Sequence, residues 1–320
     1  MYKIGIIDTM KNKGIELLIN YKDFDCEIVT DLSRENLLLK LPEFDGITLR
    51  RGKIDREILN KCDKLKVIAR HGVGYDSVDT KCLKEKGITL LVAHNSTSTS
   101  PAEHIMFMIM NIYKGVSMFD TMVRDGDFVK AIHLNIEQNF ELFDKTVLIA
   151  GFGRIGKKLI KKCLGFDMKV LVFDPYVDEA TITSFGGTKV VTFEEGLKKA
   201  DILSLSLPLN DETKNFITLK EMKLMKKSSI IINAARGGVV NEEDLNNALN
   251  NNIIAFAGID VFEKEPPEPT NSLIKNKKVV LSPHAATFTK EGLESMAVET
   301  AQNIIDFFEN KIENTKIVKL

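Results

Sequence analysis

The feature that most constrains this chain is a strand, a glycine turn and a helix written in direct succession. Residues 146–150 (TVLIA) are strand formers, and Gly151-Phe152-Gly153-Arg154-Ile155-Gly156 follows without a gap. Residues 157–164 read as a helix and residues 169–173 (KVLVF) as a second strand. Asp174 follows at once, 18 residues after Gly156. A GxGxxG by itself is weak, but in this setting it reads as the dinucleotide-binding turn of a parallel sheet. Gly151 permits the tight turn, and Gly153 lets the backbone approach a pyrophosphate. Gly156 lets helix and strand pack closely, and Arg154 and Ile155 open the helix whose first amides face the anion. Asp174 accepts hydrogen bonds from an adenosine ribose and repels a 2′-phosphate, which favours NAD over NADP.

The rest of the chain repeats the alternation. Short apolar runs at 3–7, 27–30, 46–49, 67–69 and 89–92 read as strands, separated by charged, helix-compatible stretches. A second series follows the glycine motif at 202–207, 229–233, 255–260 and 279–282. This is the pattern of an α/β chain with parallel sheets. At 320 residues it has room for about two domains. Between the two series lies a Ser/Thr-rich patch, residues 95–100, followed by Pro101. Pro101 suits the first turn of a helix, with Ser100 as its N-cap. That helix is expected to run from Ala102 to about Arg124, apolar and buried at its start. Asn241 reads as the N-cap of a helix whose first turn holds Glu242, Glu243 and Asp244, and residues 290–309 as a last helix.

Charge excludes some partners. Forty-four Lys and Arg against 45 Asp and Glu leave a net charge of -1. A nucleic-acid or anionic-membrane binder carries a basic surplus. The longest strongly apolar run, Ile105 to Met110, is too short to span a bilayer. The N-terminus reads as a first strand rather than a signal peptide, so a cytoplasmic protein is expected. Cys26, Cys62, Cys82 and Cys163 lack metal-site spacing and read as reduced thiols; no metal is expected.

In an open parallel sheet, ligands bind outside the carboxyl ends of the strands. The polar residues found there are Arg236, after the strand at 229–233, Asp260, with Glu265 a short loop onward, and His284. A cation, two carboxylates and an imidazole on the edge that holds the glycine motif suit hydride transfer to a 2-keto acid. A guanidinium fork matches the substrate carboxylate. An imidazole supplies the proton that the carbonyl oxygen takes as hydride arrives, and a carboxylate beside it favours the charged ring and fixes its orientation. In residues 70–74 (RHGVG), His71 and two glycines follow a strand, where backbone amides reach a small anion. His104, in the apolar helix, reads as structural.

At this point the residues resemble a family, the D-isomer-specific 2-hydroxyacid dehydrogenases. The similar segments are ARHGVGYDSVD, SPAEH, GFGRIG, SLPLNDETKNFI, INAARGGVVNEEDL, GIDVFEKEPP and LSPHAATFTKE, in order along most of the chain. The resemblance implies two doubly wound parallel-sheet domains. A Rossmann NAD-binding domain (100–284) is inserted into a flavodoxin-like substrate domain (1–99 and 285–320), to which the C-terminal helix returns. It implies that Arg236 holds the substrate carboxylate and that His284 is the acid/base, paired with Glu265. Asp260 would hold the nicotinamide amide and Asp174 the ribose. Pro208, Thr213, Ala234 and Ala235 would line the cofactor. Gly72, Val73 and Gly74 would touch substrate, as would the loop from Arg50 to Gly52. Arg50, Arg51 and His71 together would suit a substrate phosphate, with hydroxypyruvate and glyoxylate as equal alternatives. A homodimer through the cofactor domains is also implied. The chain ends soon after the return helix, so no C-terminal regulatory domain is expected.

Four positions depart from the family's usual residues: Ser77 and Thr97, where asparagine is common, Phe128 for a tryptophan, and Leu148 for a glycine. None is the acid, its partner or the guanidinium. They bear on substrate identity more than on reaction type. Glu265 speaks against the formate dehydrogenase branch, which pairs its histidine with an amide. Two rivals are an NAD(H)-binding regulatory or scaffold protein with little turnover, and phosphite oxidation.

Overall fold

The computed structural model describes residues 1–94, 98–134 and 139–320. Half of the Ser/Thr-rich patch, Asn95 to Thr97, lies outside the described residues, and so does the departure at Thr97. The chain divides into two compact units, Met1–Thr97 with Phe288–Leu320, and Ser98–Thr287. No helix among the described residues is long and apolar enough to cross a membrane.

The first unit holds β1 (Tyr2–Ile7), β2 (Phe24–Val29), β3 (Gly46–Leu49), β4 (Val67–Arg70) and β5 (Thr89–Val92). They form a parallel sheet in the order β2-β1-β3-β4-β5, the flavodoxin-like winding. Both faces are covered, which is why its inner strands are almost continuously apolar. Ile7, Ile47, Leu49, Ile68 and Leu90 pack on one side. Ile4, Ile6, Val67, Ala69 and Leu91 pack on the other against Ala301, Ile304 and Ile305 of the helix Lys290–Phe308. The C-terminal helix is therefore part of this unit.

The second unit holds β6 (Thr146–Ala150), β7 (Lys169–Phe173), β8 (Thr188–Lys189), β9 (Ile202–Leu205), β10 (Ile230–Asn233), β11 (Phe256–Ile259) and β12 (Val279–Leu281). All are parallel, in the order β12-β11-β10-β9-β6-β7-β8. The order reverses between β6 and β9, the switch point at which a Rossmann sheet takes its ligand. Leu148, the departure in β6, is fully buried against Gly196. A Cβ at 196 would stand 2.9 Å from both Leu148 methyls, so a glycine on the covering helix accommodates the larger strand residue. Phe128 is 58% exposed on the short helix Phe128–Ile132.

Two sequence expectations need correction. The apolar helix is not continuous to Arg124: it runs Thr99–Lys114, stops at Gly115 with φ +62°, and a second helix spans Val116–Arg124. The left-handed glycine ends the first helix as a C-cap glycine does. Nor is Ser100 the N-cap. The helix starts at Thr99, and the buried Ser100 hydroxyl donates instead to Ala286 O at 2.7 Å.

Candidate active site

The strand register decides which residues meet. Ala150 lies opposite Phe173 and Leu205, Asn233 opposite Leu205 and Ile259, and Ile259 opposite Leu281. The residues that follow, Gly151, Asp174, Ser206, Ala234, Asp260 and Ser282, therefore emerge along one edge of the second sheet.

Gly151 has φ +94°, and a Cβ there would stand 2.6 Å from Ser206 O. A Cβ on Gly156 would stand 2.5 Å from Gly151 O. Only glycine lets turn, helix and neighbouring strand come this close. A Cβ on Gly153 would meet nothing within 4 Å, so the turn is open there. The helix Arg154–Leu164 begins without a side-chain cap, and a helix start of this kind suits an anion. Asp174 is fixed at the same place, its Oδ2 accepting from Phe152 N at 2.7 Å and its Oδ1 from Tyr176 N at 2.9 Å. This open, amide-lined turn beside an anchored carboxylate fits the diphosphate and ribose of a dinucleotide. Thr213 Oγ1 donates to Pro208 O at 2.6 Å, which closes the loop after β9 on itself.

Arg236 sits in a turn shaped by Asn233. Asn233 Oδ1 accepts from Ala235 N at 3.1 Å and its Nδ2 donates to Arg236 O at 2.9 Å. Arg236 Nη1 donates to Ala235 O at 2.6 Å. The next residue, Gly237, lies against the loop that follows β11: a Cβ there would fall 1.8 Å from Phe262 O.

That loop carries Glu265. Its Oε1 accepts from Phe262 N at 3.1 Å, and its Oε2 stands 2.8 Å from His284 Nδ1. His284 is left-handed at φ +52°, which costs a residue bearing a Cβ roughly 1–2 kcal/mol. Its side chain is 51% exposed, so the ring is reachable. With Nδ1 turned to the carboxylate, Nε2 is the ring nitrogen on the side away from Glu265. The Glu265 carboxylate bonded to the ring outweighs partial burial and the nearby Arg236 charge, and raises the imidazole above its ordinary value of 6.5. Burial pushes Glu265 upward, but His284 and Phe262 N hold it below its usual range. Glu265, Pro266, Pro267, Ser282 and His284 line a cavity of about 370 Å³.

The raised imidazole has a testable consequence. Were this ring the proton donor of a reduction, its protonated form would be the active one, and kcat/KM should fall as pH rises through a value above 6.5. In Glu265→Gln the break should move down toward 6.5, measured as kcat/KM for reduction from pH 5 to 10. An unmoved break would remove Glu265 as the group that sets it.

Asp260 is fully buried. Burial pushes its carboxyl up, but bonds from His104, Ser282 and Ala285 N prevail and hold it low. The sequence places Gly237 on this edge without a role and does not single out Ser282. The signals were a serine directly after a strand and a glycine directly after the arginine.

In the first unit, Arg50 and Arg51 follow β3 and meet Asp8, which sequence reading also missed although it directly follows β1. Arg51 Nε donates to Asp8 Oδ2 at 2.6 Å, and Arg50 Nη1 lies 3.6 Å from the same oxygen. His71 is buried and its Nε2 makes no hydrogen bond. Burial, with Arg50 nearby, lowers it to about 4, so it is neutral at pH 7 and brings no charge to an anion. Gly72 has φ +129°, and Arg70 Nε donates to Gly74 O at 2.8 Å. Arg70 Nη1 donates to Leu49 O and Arg50 O, so its guanidinium ties the loop after β3 to the loop after β4.

The model of the D-isomer specific 2-hydroxyacid dehydrogenase NAD binding domain matches residues 106–286, more than half of the chain. The chain belongs to the D-isomer specific 2-hydroxyacid dehydrogenase family. A glyoxylate reductase of Thermococcus litoralis is 35% identical over 321 residues, which are 97% of this chain and 95% of the relative. A D-3-phosphoglycerate dehydrogenase of Archaeoglobus fulgidus is 33% identical over 301 residues, 94% of this chain and 54% of the relative. The chain thus spans about half the length of the phosphoglycerate dehydrogenases it matches. Among solved structures, the TT0316 protein of Thermus thermophilus superposes with a TM-score of 0.87 at 27% identity, covering 99% of this chain and all of that one. The inserted cofactor domain is thus the family's NAD-binding domain.

Proposed function

We propose that this chain is an NAD-dependent D-2-hydroxyacid dehydrogenase. The observation that carries the reading is the His284–Glu265 pair, 2.8 Å apart, on the same sheet edge as the Arg236 turn and the glycine turn. Bound at that turn, a nicotinamide dinucleotide supplies the hydride of reduction. Arg236 binds the substrate carboxylate and steadies the charge that grows on the adjacent carbonyl oxygen. His284 holds the transferable proton at Nε2 and gives it to that oxygen, while Glu265 keeps Nδ1 protonated and the ring turned. Run backwards, neutral Nε2 takes the hydroxyl proton. Asp260 orients the nicotinamide amide, Asp174 holds the ribose hydroxyls, and Pro208, Thr213, Ala234 and Ala235 line the cofactor. Arg50, Arg51, His71 and residues 72–74 serve the substrate.

The substrate is a small acid of the glyoxylate, hydroxypyruvate or phosphohydroxypyruvate kind. Asp8 favours the unphosphorylated acids, because it already engages Arg51 and cancels one of the two arginine charges. The family likeness favours a homodimer through the cofactor domain. An apolar depression lined by Phe119, Val123, Phe128, Ala131 and Ile132 supports that surface. The four cysteines are thiols, which suits the cytoplasm.

The test follows absorbance of NADH, then NADPH, against glyoxylate, hydroxypyruvate, 3-phosphohydroxypyruvate, pyruvate and branched 2-keto acids. NADH-linked turnover is expected, fastest with an unphosphorylated acid. Bound NADH with no turnover on any of them would favour a regulatory or scaffold role, and phosphite with NAD would be tried next.

A further inference from the structure

Three groups on the second unit grip the turn that carries His284, and the chemistry just described uses none of them. The helix Thr99–Lys114 places Ser100 and His104 one turn apart, on one face. Ser100 Oγ donates to Ala286 O at 2.7 Å. His104 Nε2 stands 2.9 Å from Ser282 Oγ. Ser282 Oγ in turn donates to Asp260 Oδ1 at 2.5 Å. A serine hydroxyl has one proton, so its lone pair accepts from His104 Nε2–H, which fixes that ring's tautomer. Asp260 completes the grip: Oδ1 accepts from Ala285 N at 2.7 Å, Oδ2 from Ala286 N at 3.1 Å, and its own carbonyl from His284 N at 2.7 Å. Every residue of 282–286 except Pro283 is thus tied to this helix face or to Asp260. His284, at the centre, is the residue in the left-handed conformation.

We propose that Ser100, His104 and Ser282 are positioning residues, which lock the 282–286 turn through Asp260 so that the His284 ring meets Glu265. This goes beyond the proposed activity, which it needs for its kinetic readout but not for its spectroscopic one. The charged groups that face His284 are Glu265, Arg236 and Asp260. A relaxed turn lengthens the Glu265 contact, which is the one that raises the imidazole.

The test compares Ser282→Ala and His104→Ala with Ser282→Thr and His104→Gln. Threonine keeps the hydroxyl and glutamine keeps a donor near the Nε2 position. The His284 titration is followed by proton NMR with full-length protein, and turnover is followed where a substrate is known. In the alanine variants the His284 titration should move down toward 6.5 and kcat should fall about 10- to 100-fold, the scale of misplacing a catalytic group by an ångström. The threonine and glutamine variants should restore both. An unmoved titration in folded Ser282→Ala would overturn the proposal, as would a loss of kcat that tracks melting temperature alone and is not rescued. Should His104→Ala not fold, Ser282→Ala and His104→Gln carry the test. Should the wild type turn over no keto acid, the activity reading fails while the NMR titration still decides the positioning.

Discussion

His284→Ala is expected to bind NADH as the wild type does and to lose about 10²- to 10⁴-fold in kcat for keto-acid reduction, the range general acid catalysis supplies. The ring lies on the loop after β12 and is half exposed, so its removal leaves no buried hole. Asp260, the turn and the helix face that holds it stay in place, since His284 contributes only its backbone amide to that network. The loss should therefore appear in kcat with the melting temperature nearly unchanged. Turnover within a few-fold of wild type would show that another group delivers the proton.

Gly237→Ala should be the most damaging single methyl in the site. A Cβ would fall 1.8 Å from Phe262 O and 2.1 Å from its carbonyl carbon, closer than atoms can approach, and neither is the end of a flexible side chain. Backbone must move on one side. The loop that moves is the one whose Phe262 N holds Glu265, and the turn that moves is the one that carries Arg236. Overpacking typically costs 1–3 kcal/mol, and a backbone clash of this depth should cost about 3 kcal/mol or more. In a unit of this size that lowers the melting transition by roughly 6–12 °C. kcat/KM should fall on the order of 100-fold, because the acid and the guanidinium are displaced together. A variant that melts and turns over like the wild type would contradict the close approach.

Much of the architecture was legible because parallel strands covered on both faces need continuous apolar residues. Ile230, Ile231 and Ile232 are all buried, and a short β-branched run of this kind is what a strand covered on both faces requires. The glycine turn was legible because its chemistry is local. The break at Gly115 was not, since helix-compatible residues flank it and only backbone φ reveals it. β8 is two residues long and leaves no periodicity to read. The Asp8–Arg51 pair exists because β1 lies beside β3, with Ile7 opposite Leu49, a juxtaposition no local pattern encodes. His104 and Ser282 meet across 178 residues, so an apolar helix with one histidine read as core, and the hydroxyl it serves stayed invisible.

The most direct test of the proposed reaction traces the hydride itself. NADH deuterated at both hydrogens of nicotinamide C4 is mixed with the enzyme and the best 2-keto acid of the panel other than glyoxylate, whose product has no D or L form. The product is then analysed by mass spectrometry and chiral chromatography. A product of D configuration carrying one deuterium at C2 is expected. An L product, a product without deuterium, or NADH that stays unoxidised while bound would contradict the assignment of this chain as a D-2-hydroxyacid dehydrogenase.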